Sequence, residues 1–468
     1  MTPRALASLR RAVPTRAGAG LACLAVFLSG VALMAGLQAS FRPLAAEGVY
    51  FQEHSSEDMM QTVSLVDLRE RPLQTLLVLH IQPPLLDTVR AALARLWPDA
   101  GRRALVRRVD RGLYFVWMLV YAAMGALVFH WLRQLLASTP IAAVAALVFL
   151  LHPATIFYGT YLEGTLLTSF GILWLCYALW RIPARGATLA LGTAYLLLFF
   201  VRSIFQWPAL LVLVAALLLR GAPRRSVLAF ALPCTLVVGS FMLKQYLVFR
   251  STSTSSFAGS SCLQALGEVP EMGFSSTVET PLGPLLSHAS WDDLPTALTR
   301  PTKIGGAHNF NHLADLANER QLARRCRARL ASDPLESTLR AWSTNLYIFF
   351  QPSSRYVTPH VIVDRLPWRG AFDWVFSASR LVLLLAAATL VWVRRRRGRD
   401  VLRGLGIALP VLFVSVACVV FERDENMRYK FFVEPVLYVF LVAQATALAG
   451  ALRRRKATHA PEAAETSR

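Results

Sequence analysis

Apolar side chains in this chain gather in runs too long to be the buried face of a surface helix. Six runs, near 18–41, 113–136, 226–249, 372–393, 401–421 and 432–451, reach the roughly 20 residues that cross a hydrocarbon layer about 30 Å thick. Between 140 and 220 the apolar stretch is longer, but His152-Pro153, the segment Arg181 to Gly186, and Arg202 interrupt it. Those breaks divide it into four shorter crossings, near 140–152, 158–180, 187–201 and 205–219. The pattern therefore predicts an all-α polytopic membrane protein with about ten transmembrane helices.

Threading those spans with the amino terminus inside gives a cytoplasmic tail and first transmembrane helix at 1–41, then an exported loop at 42–112. A transmembrane bundle at 113–249 and a second exported loop or small cap at 250–371 follow. The C-terminal transmembrane helices occupy 372–451, and 452–468 is a cytoplasmic tail. In the first loop Val89, Leu93 and Leu96 recur at helical spacing within DTVRAALARLWP, with Arg90 and Arg95 between them, which predicts a helix lying on the membrane surface. The second loop opens on the linker STSTSSFAGSS and predicts helices around 309–332 and, after Pro334, over 338–354. The first apolar run, with its arginine-rich start, also fits a cleaved signal peptide; either reading exports residues from 42 onward.

Composition agrees: 55% of residues are hydrophobic and only 16% charged, against about a quarter charged in soluble domains. A net charge of +21 raises the question of nucleic acid, but its distribution answers differently. Arg4, Arg10, Arg11 and Arg16, then Arg133, Arg181, Arg185, Arg220, Arg224 and Arg225, then Arg394 to Arg397 and Arg453 to Lys456, all fall on the inner side. The excess reads as an orientation signal, and no nucleic-acid partner is expected. The inner loops are too short for a nucleotide-binding fold and carry no Gly-rich phosphate loop, which excludes ATP-driven transport by this chain alone. Cys23, Cys176, Cys234 and Cys418 lie in apolar spans. Cys262 and Cys326 share the second exported loop and are either a disulfide, if the compartment is oxidising, or unpaired.

Four polar clusters stand at the outer rim. Glu57 and Asp58, followed by His80 and Pro83-Pro84, offer a carboxylate for general-base chemistry or are solvated loop acids. Glu163 closes HPATIFYGTYLEG at the outer end of a span, as a functional acid or an interfacial one. Arg202 sits in the outer turn VRSIFQW, for an anion or for lipid headgroups. Arg428 and Lys430 lie among Glu422, Asp424 and Glu425 just before the last span, where guanidinium suits phosphate. His308 and His312 have i, i+4 spacing without a third ligand, so no metal site is expected there; no cofactor is expected, and the sequence leaves the metal requirement open.

In their order, these clusters resemble the integral-membrane GT-C glycosyltransferases, specifically the glycosyltransferase family 39 and dolichyl-phosphate-mannose protein mannosyltransferase-like group. The acidic pair Glu57-Asp58 matches the Asp-Glu of their first loop in reversed order. His80, Pro83, Pro84 and Leu85 match their His-Pro-Pro-Leu with Ile81 and Gln82 inserted. Arg428, Tyr429, Lys430 and Phe431 leading to Glu434-Pro435 are similar to their terminal hairpin. The resemblance implies a GT-C-like fold in an inner, cytoplasmic membrane and transfer of a sugar from a polyprenyl-phosphate donor to a glycan, lipid or protein acceptor on the periplasmic or otherwise extracytoplasmic face. It implies Glu57 or Asp58 as base, Arg202, Arg428 and Lys430 on the donor phosphate, and His80 and Glu163 orienting the reactants. The competing readings are a transporter or flippase and an oligosaccharide ligase or polymerase.

Overall fold

The computed structural model describes residues 16–41, 55–136, 138–269, 282–356, 362–395, 399–423 and 425–459. Arg4, Arg10, Arg11, Asp424 and the tail from 460 onward lie outside them. Among the described residues the secondary structure is helical, with one isolated bridge between Thr302 and His308.

Five helices are long and apolar enough to cross a membrane: α1 (Arg16–Phe41), α5 (Arg102–Leu136), α11 (Arg224–Phe249), α18 (Arg399–Phe421) and α20 (Glu434–His459). Before α5 come the short α2 (Leu65–Glu70), α3 (Pro72–Leu77) and α4 (Leu85–Arg95). Two bent helix pairs pass the same length and hydropathy test when each is taken together, as a broken span or a re-entrant loop. One is α6 (Thr139–Leu150) with α7 (Pro153–Thr160), at 57°; the other joins α16 (Arg369–Val375) to α17 (Ala378–Arg395), at 56°. The first bend has a visible cause. Pro153 lacks the N–H that would continue α6, and His152 restarts the helix by accepting the Ala154 N–H on Nδ1 at 3.2 Å.

The remaining apolar helices, α8 (Thr165–Arg181), α9 (Ala187–Val201) and α10 (Trp207–Leu219), have 17, 15 and 13 residues. At 1.5 Å per residue they reach roughly 20–25 Å, short of a 30 Å hydrocarbon layer. The count of membrane-length spans is thus five to seven, where the apolar pattern predicted about ten. The short helices pack inside the bundle, α8 against α9 and α5, and α10 against α18.

α5 is the central element, with Trp117, Tyr121 and Phe129 fully buried and α1, α6, α8 and α20 around it. Gly30 lets α1 approach closely, since a Cβ there would meet Ala122 Cα at 3.0 Å. α5 begins well before the predicted span at 113 and carries Arg102, Arg103, Arg107, Arg108 and Arg111 exposed on its first turns. Basic side chains are therefore not confined to one end, and the orientation argument from total charge is weaker than the sequence pattern implied.

The ends are nevertheless distinct. Arg220 Nη2 donates to Trp180 O at 2.6 Å, and its Nη1 to Arg403 O at 3.4 Å, so the turns after α8 and α10 meet the start of α18. Gln134, near the end of α5, donates to the Tyr177 hydroxyl at 2.9 Å at the same end. The opposite end holds Glu163, Arg202 and Arg428, together with a polar cap.

The cap is built from α12 (Ala258–Ala265), α13 (Thr296–Thr299), α14 (Leu313–Ser332) and α15 (Leu335–Phe349). The predicted helices at 309–332 and 338–354 are α14 and α15. Cys262 and Cys326 are disulfide-bonded, Cα–Cα 6.2 Å, joining α12 to α14. The five-residue α19 (Asn426–Lys430) precedes α20.

α4 corrects a prediction. Its buried side is Leu86, Asp87, Arg90, Ala91 and Ala94, while Leu96 is exposed. Arg90 is fully buried rather than solvated, because Glu57 and Asp87 supply its counter-charges.

Candidate functional site

The acidic pair is split by its surroundings. Glu57 is 1% exposed, and its Oε2 stands 2.7 Å from Arg90 Nη2. That carboxylate also accepts the Leu65 N–H at 3.1 Å and the Ile304 N–H at 3.3 Å. Burial pushes the Glu57 carboxyl up, with Arg90 and Lys303 pulling the other way. Arg90 Nη1 binds Asp87 Oδ1 at 2.5 Å and Val63 O at 2.7 Å. Glu57 is thus consumed in a structural network. Asp58, one residue on, is exposed and its carboxylate makes no hydrogen bond among the described residues.

The cap holds the loop that carries Asp58. Lys303 Nζ donates to Glu57 O at 3.0 Å, Met59 O at 2.5 Å and Thr62 Oγ1 at 3.1 Å, so one ammonium ties the backbone on both sides of Asp58. Burial lowers the Lys303 pKa to about 8. Gly305 lies against Asp58: a Cβ there would meet Oδ1 at 3.2 Å.

His80 lies elsewhere in the cap joint. Its Nε2 donates to Asn311 O at 2.9 Å, which leaves Nδ1 to accept from Ser256 Oγ at 3.0 Å. Desolvation lowers its pKa to about 3, so the ring is neutral. Asn311 completes the joint, accepting the His80 N–H at 2.9 Å and donating to Val78 O at 3.2 Å. The placement is that of a strut between loop and cap, not of a group facing a substrate.

The four remaining rim charges, Glu163, Arg202, Arg428 and Lys430, are only partly united. Glu163 sits in the break between α7 and α8 and accepts the Thr165 N–H at 3.1 Å. Arg202 is carried to the same level as the C-cap of α9. Its Nη2 binds Glu163 Oε2 at 2.7 Å, and its Nη1 donates to Gln61 Oε1 at 3.1 Å. Arg428 approaches the same carboxylate oxygen at 3.7 Å and pairs with Glu425 at 2.5 Å. Tyr356 donates to Glu425 Oε1 at 3.0 Å, and its ring lies 5.0 Å from the Arg428 guanidinium carbon. Both arginines are more than nine-tenths buried, and each Nε lacks a hydrogen-bond partner among the described residues.

Lys430 stands apart from this cluster. It is fully buried and paired with Glu434 Oε1 at 3.0 Å, an oxygen that also accepts from Ser353 Oγ at 2.6 Å. The expectation that Lys430 joins Arg202 and Arg428 on one anion therefore does not fit this geometry. His308 and His312 are likewise occupied: His308 Nε2 meets Asp315 at 3.1 Å, and His312 Nδ1 accepts the Ala314 N–H at 3.1 Å.

Sequence reading missed Gln61, Lys303, Asn311 and Tyr356. One signal was available for the second. The chain takes nearly all its positive charge from arginine and uses lysine only at 244, 303, 430 and 456, and a compact three-donor ammonium suits converging carbonyls better than a planar fork.

What the arrangement offers is an open carboxylate on a braced loop that Gln61 joins to Arg202, whose partner Glu163 also meets Arg428. Comparison with protein-family models, with curated proteins and with solved structures finds no match to this chain.

Proposed function

We propose that the chain is a GT-C-like glycosyltransferase that moves a sugar from a polyprenyl-phosphate donor to an acceptor hydroxyl at the capped end of its bundle. The observation that carries this reading is the Arg202–Gln61 hydrogen bond. It ties the loop that carries Asp58 to Arg202, which Glu163 holds beside Arg428, and this supports reading the loop as the base-bearing side of an anion site.

In this reading Asp58, rather than Glu57, takes the proton of the acceptor hydroxyl as its oxygen bonds to the anomeric carbon. The bond from that carbon to the phosphate oxygen breaks, and polyprenyl phosphate departs with the electron pair. Arg202 and Arg428 offer their free Nε–H groups to the growing negative charge. Glu163 keeps both guanidinium groups in place before the donor arrives. The Cys262–Cys326 disulfide supports an oxidising compartment for the cap, which fits a site on an exported face.

The test is reconstitution in vesicles with polyprenyl-phosphate-linked sugars and extracts of candidate acceptors, followed by mass analysis of products. Expected is donor-dependent glycoside formation that Asp58→Asn reduces by about 10²–10⁴. Donor translocation without any new glycosidic bond would replace this reading with that of a flippase.

A further inference from the structure

The leucines of α15 have no place in the reading above. Leu335, Leu339 and Leu346 are 71%, 51% and 46% exposed. At about 100° per residue they fall within roughly 40° of one another around the helix axis. Thr338, Asn345 and Phe349, the buried side, flank this row on one side, while Ser343, Glu336, Arg340 and Thr344 follow in turn around the other. Such a helix has three faces: one docked, one apolar and uncovered, one polar.

Its height is fixed independently. Asn345 Nδ2 donates to Val419 O at 3.0 Å and to Ala265 O at 2.9 Å. Val419 belongs to the last turn of α18, one of the membrane-length helices, which ends at Phe421. The C-terminal half of α15 therefore sits where that span leaves the hydrocarbon. α18 itself exposes Leu405, Leu412 and Val416 on one face, so uncovered apolar surface runs up the span whose last turn Asn345 holds.

We infer that α15 lies in the bilayer interface, with Leu335, Leu339 and Leu346 set among the acyl chains at the capped end. The occupant of the face is lipid, because α15 is tied to the last turn of a spanning helix and an amphipathic helix at that depth removes its leucines from water only by entering the acyl region. The Glu336–Arg340 pair stays on the water side. The seat has a structural consequence. Asn426 Nδ2 donates to Asn345 O at 3.0 Å, so α15 supports the start of α19, the helix that carries Arg428. The inference does not depend on the chain being a transferase.

The test is nitroxide labelling of Leu339→Cys, Leu346→Cys and Arg340→Cys in the full chain with Cys23→Ala, in vesicles of phosphatidylcholine and phosphatidylglycerol. Collision with oxygen, which concentrates in lipid, is compared with collision with a water-soluble nickel chelate. Expected is an oxygen-to-nickel ratio about threefold or more higher at both leucine sites than at residue 340, as for a helix in the interface plane. Leucine sites as open to nickel as residue 340 would overturn the proposal in favour of a water-facing cap. Leucine sites shielded from both reagents would overturn it in favour of a second copy or a protein partner. Product assays play no part, so failure here leaves the transferase reading where it stands.

Discussion

Glu57 and Asp58 are neighbours in sequence with opposite surroundings, and that difference separates their mutants. Glu57→Gln leaves Arg90 short of one counter-charge inside the protein. Breaking a buried ion pair costs about 3–5 kcal/mol, and because Arg90 keeps Asp87 the lower end is expected, seen as a fall in thermal midpoint. Asp58→Asn should leave that midpoint nearly unchanged and reduce transfer by about 10²–10⁴, the usual worth of a general base. Equal loss of stability in both variants would remove Asp58 from its role. His80 adds a pH dependence. Its folded pKa of about 3 lies below the ordinary 6.5, so its neutral form contributes stability above pH 6.5 that is lost as pH falls toward 3. By pH 5 the loss from this one group is about 2 kcal/mol. His80→Gln should flatten the decline between pH 6.5 and 5, measured by hydrogen exchange in residues 300–311.

At the scale of elements, the pairing of α12 with α14 holds the cap together. The Gly259 and Ser260 N–H groups both donate to Glu319 Oε2, at 3.1 and 3.0 Å. A Cβ at Gly259 would overlap Glu319 O and Ala323 N, which are backbone atoms and cannot swing aside. Gly259→Ala should therefore push the two helices apart and lower cap stability by several times the ~1 kcal/mol typical of point mutants, read as faster exchange throughout α14. Such contacts mark the limit of what the sequence made legible. Long helices declare themselves because twenty apolar residues in a row have few other uses, and α14 and α15 followed from helical composition bounded by Pro334. The burial of Arg90 did not, since it depends on Glu57, 33 positions away. The candidate site divides the same way: Glu163, Arg202 and Arg428 were visible as charges at the ends of apolar runs, whereas Gln61 and Lys303 act through contacts no local pattern encodes.

For the whole molecule the decisive property is that it has two different ends. α8 runs from Thr165, beside Glu163, to Arg181, and α9 returns from Ala187 to Arg202, so the arginine cluster and the basic turns around Arg220 are separated by the length of the bundle. The proposed lipid-borne donor requires the capped end to be the exported one, which is also where the Cys262–Cys326 disulfide would find an oxidising space. Single cysteines at Met60, near Asp58, and at Ser287 in the cap should react with a membrane-impermeant maleimide in intact cells, whereas Arg185→Cys should react only in inverted vesicles. Met60 is 43% exposed and Ser287 and Arg185 are exposed, so failure to react reports the side of the membrane rather than burial. The reverse pattern would place Asp58 among nucleotide-linked sugars and a reducing glutathione pool, and both the lipid-phosphate donor and the role given to the disulfide would have to be abandoned together.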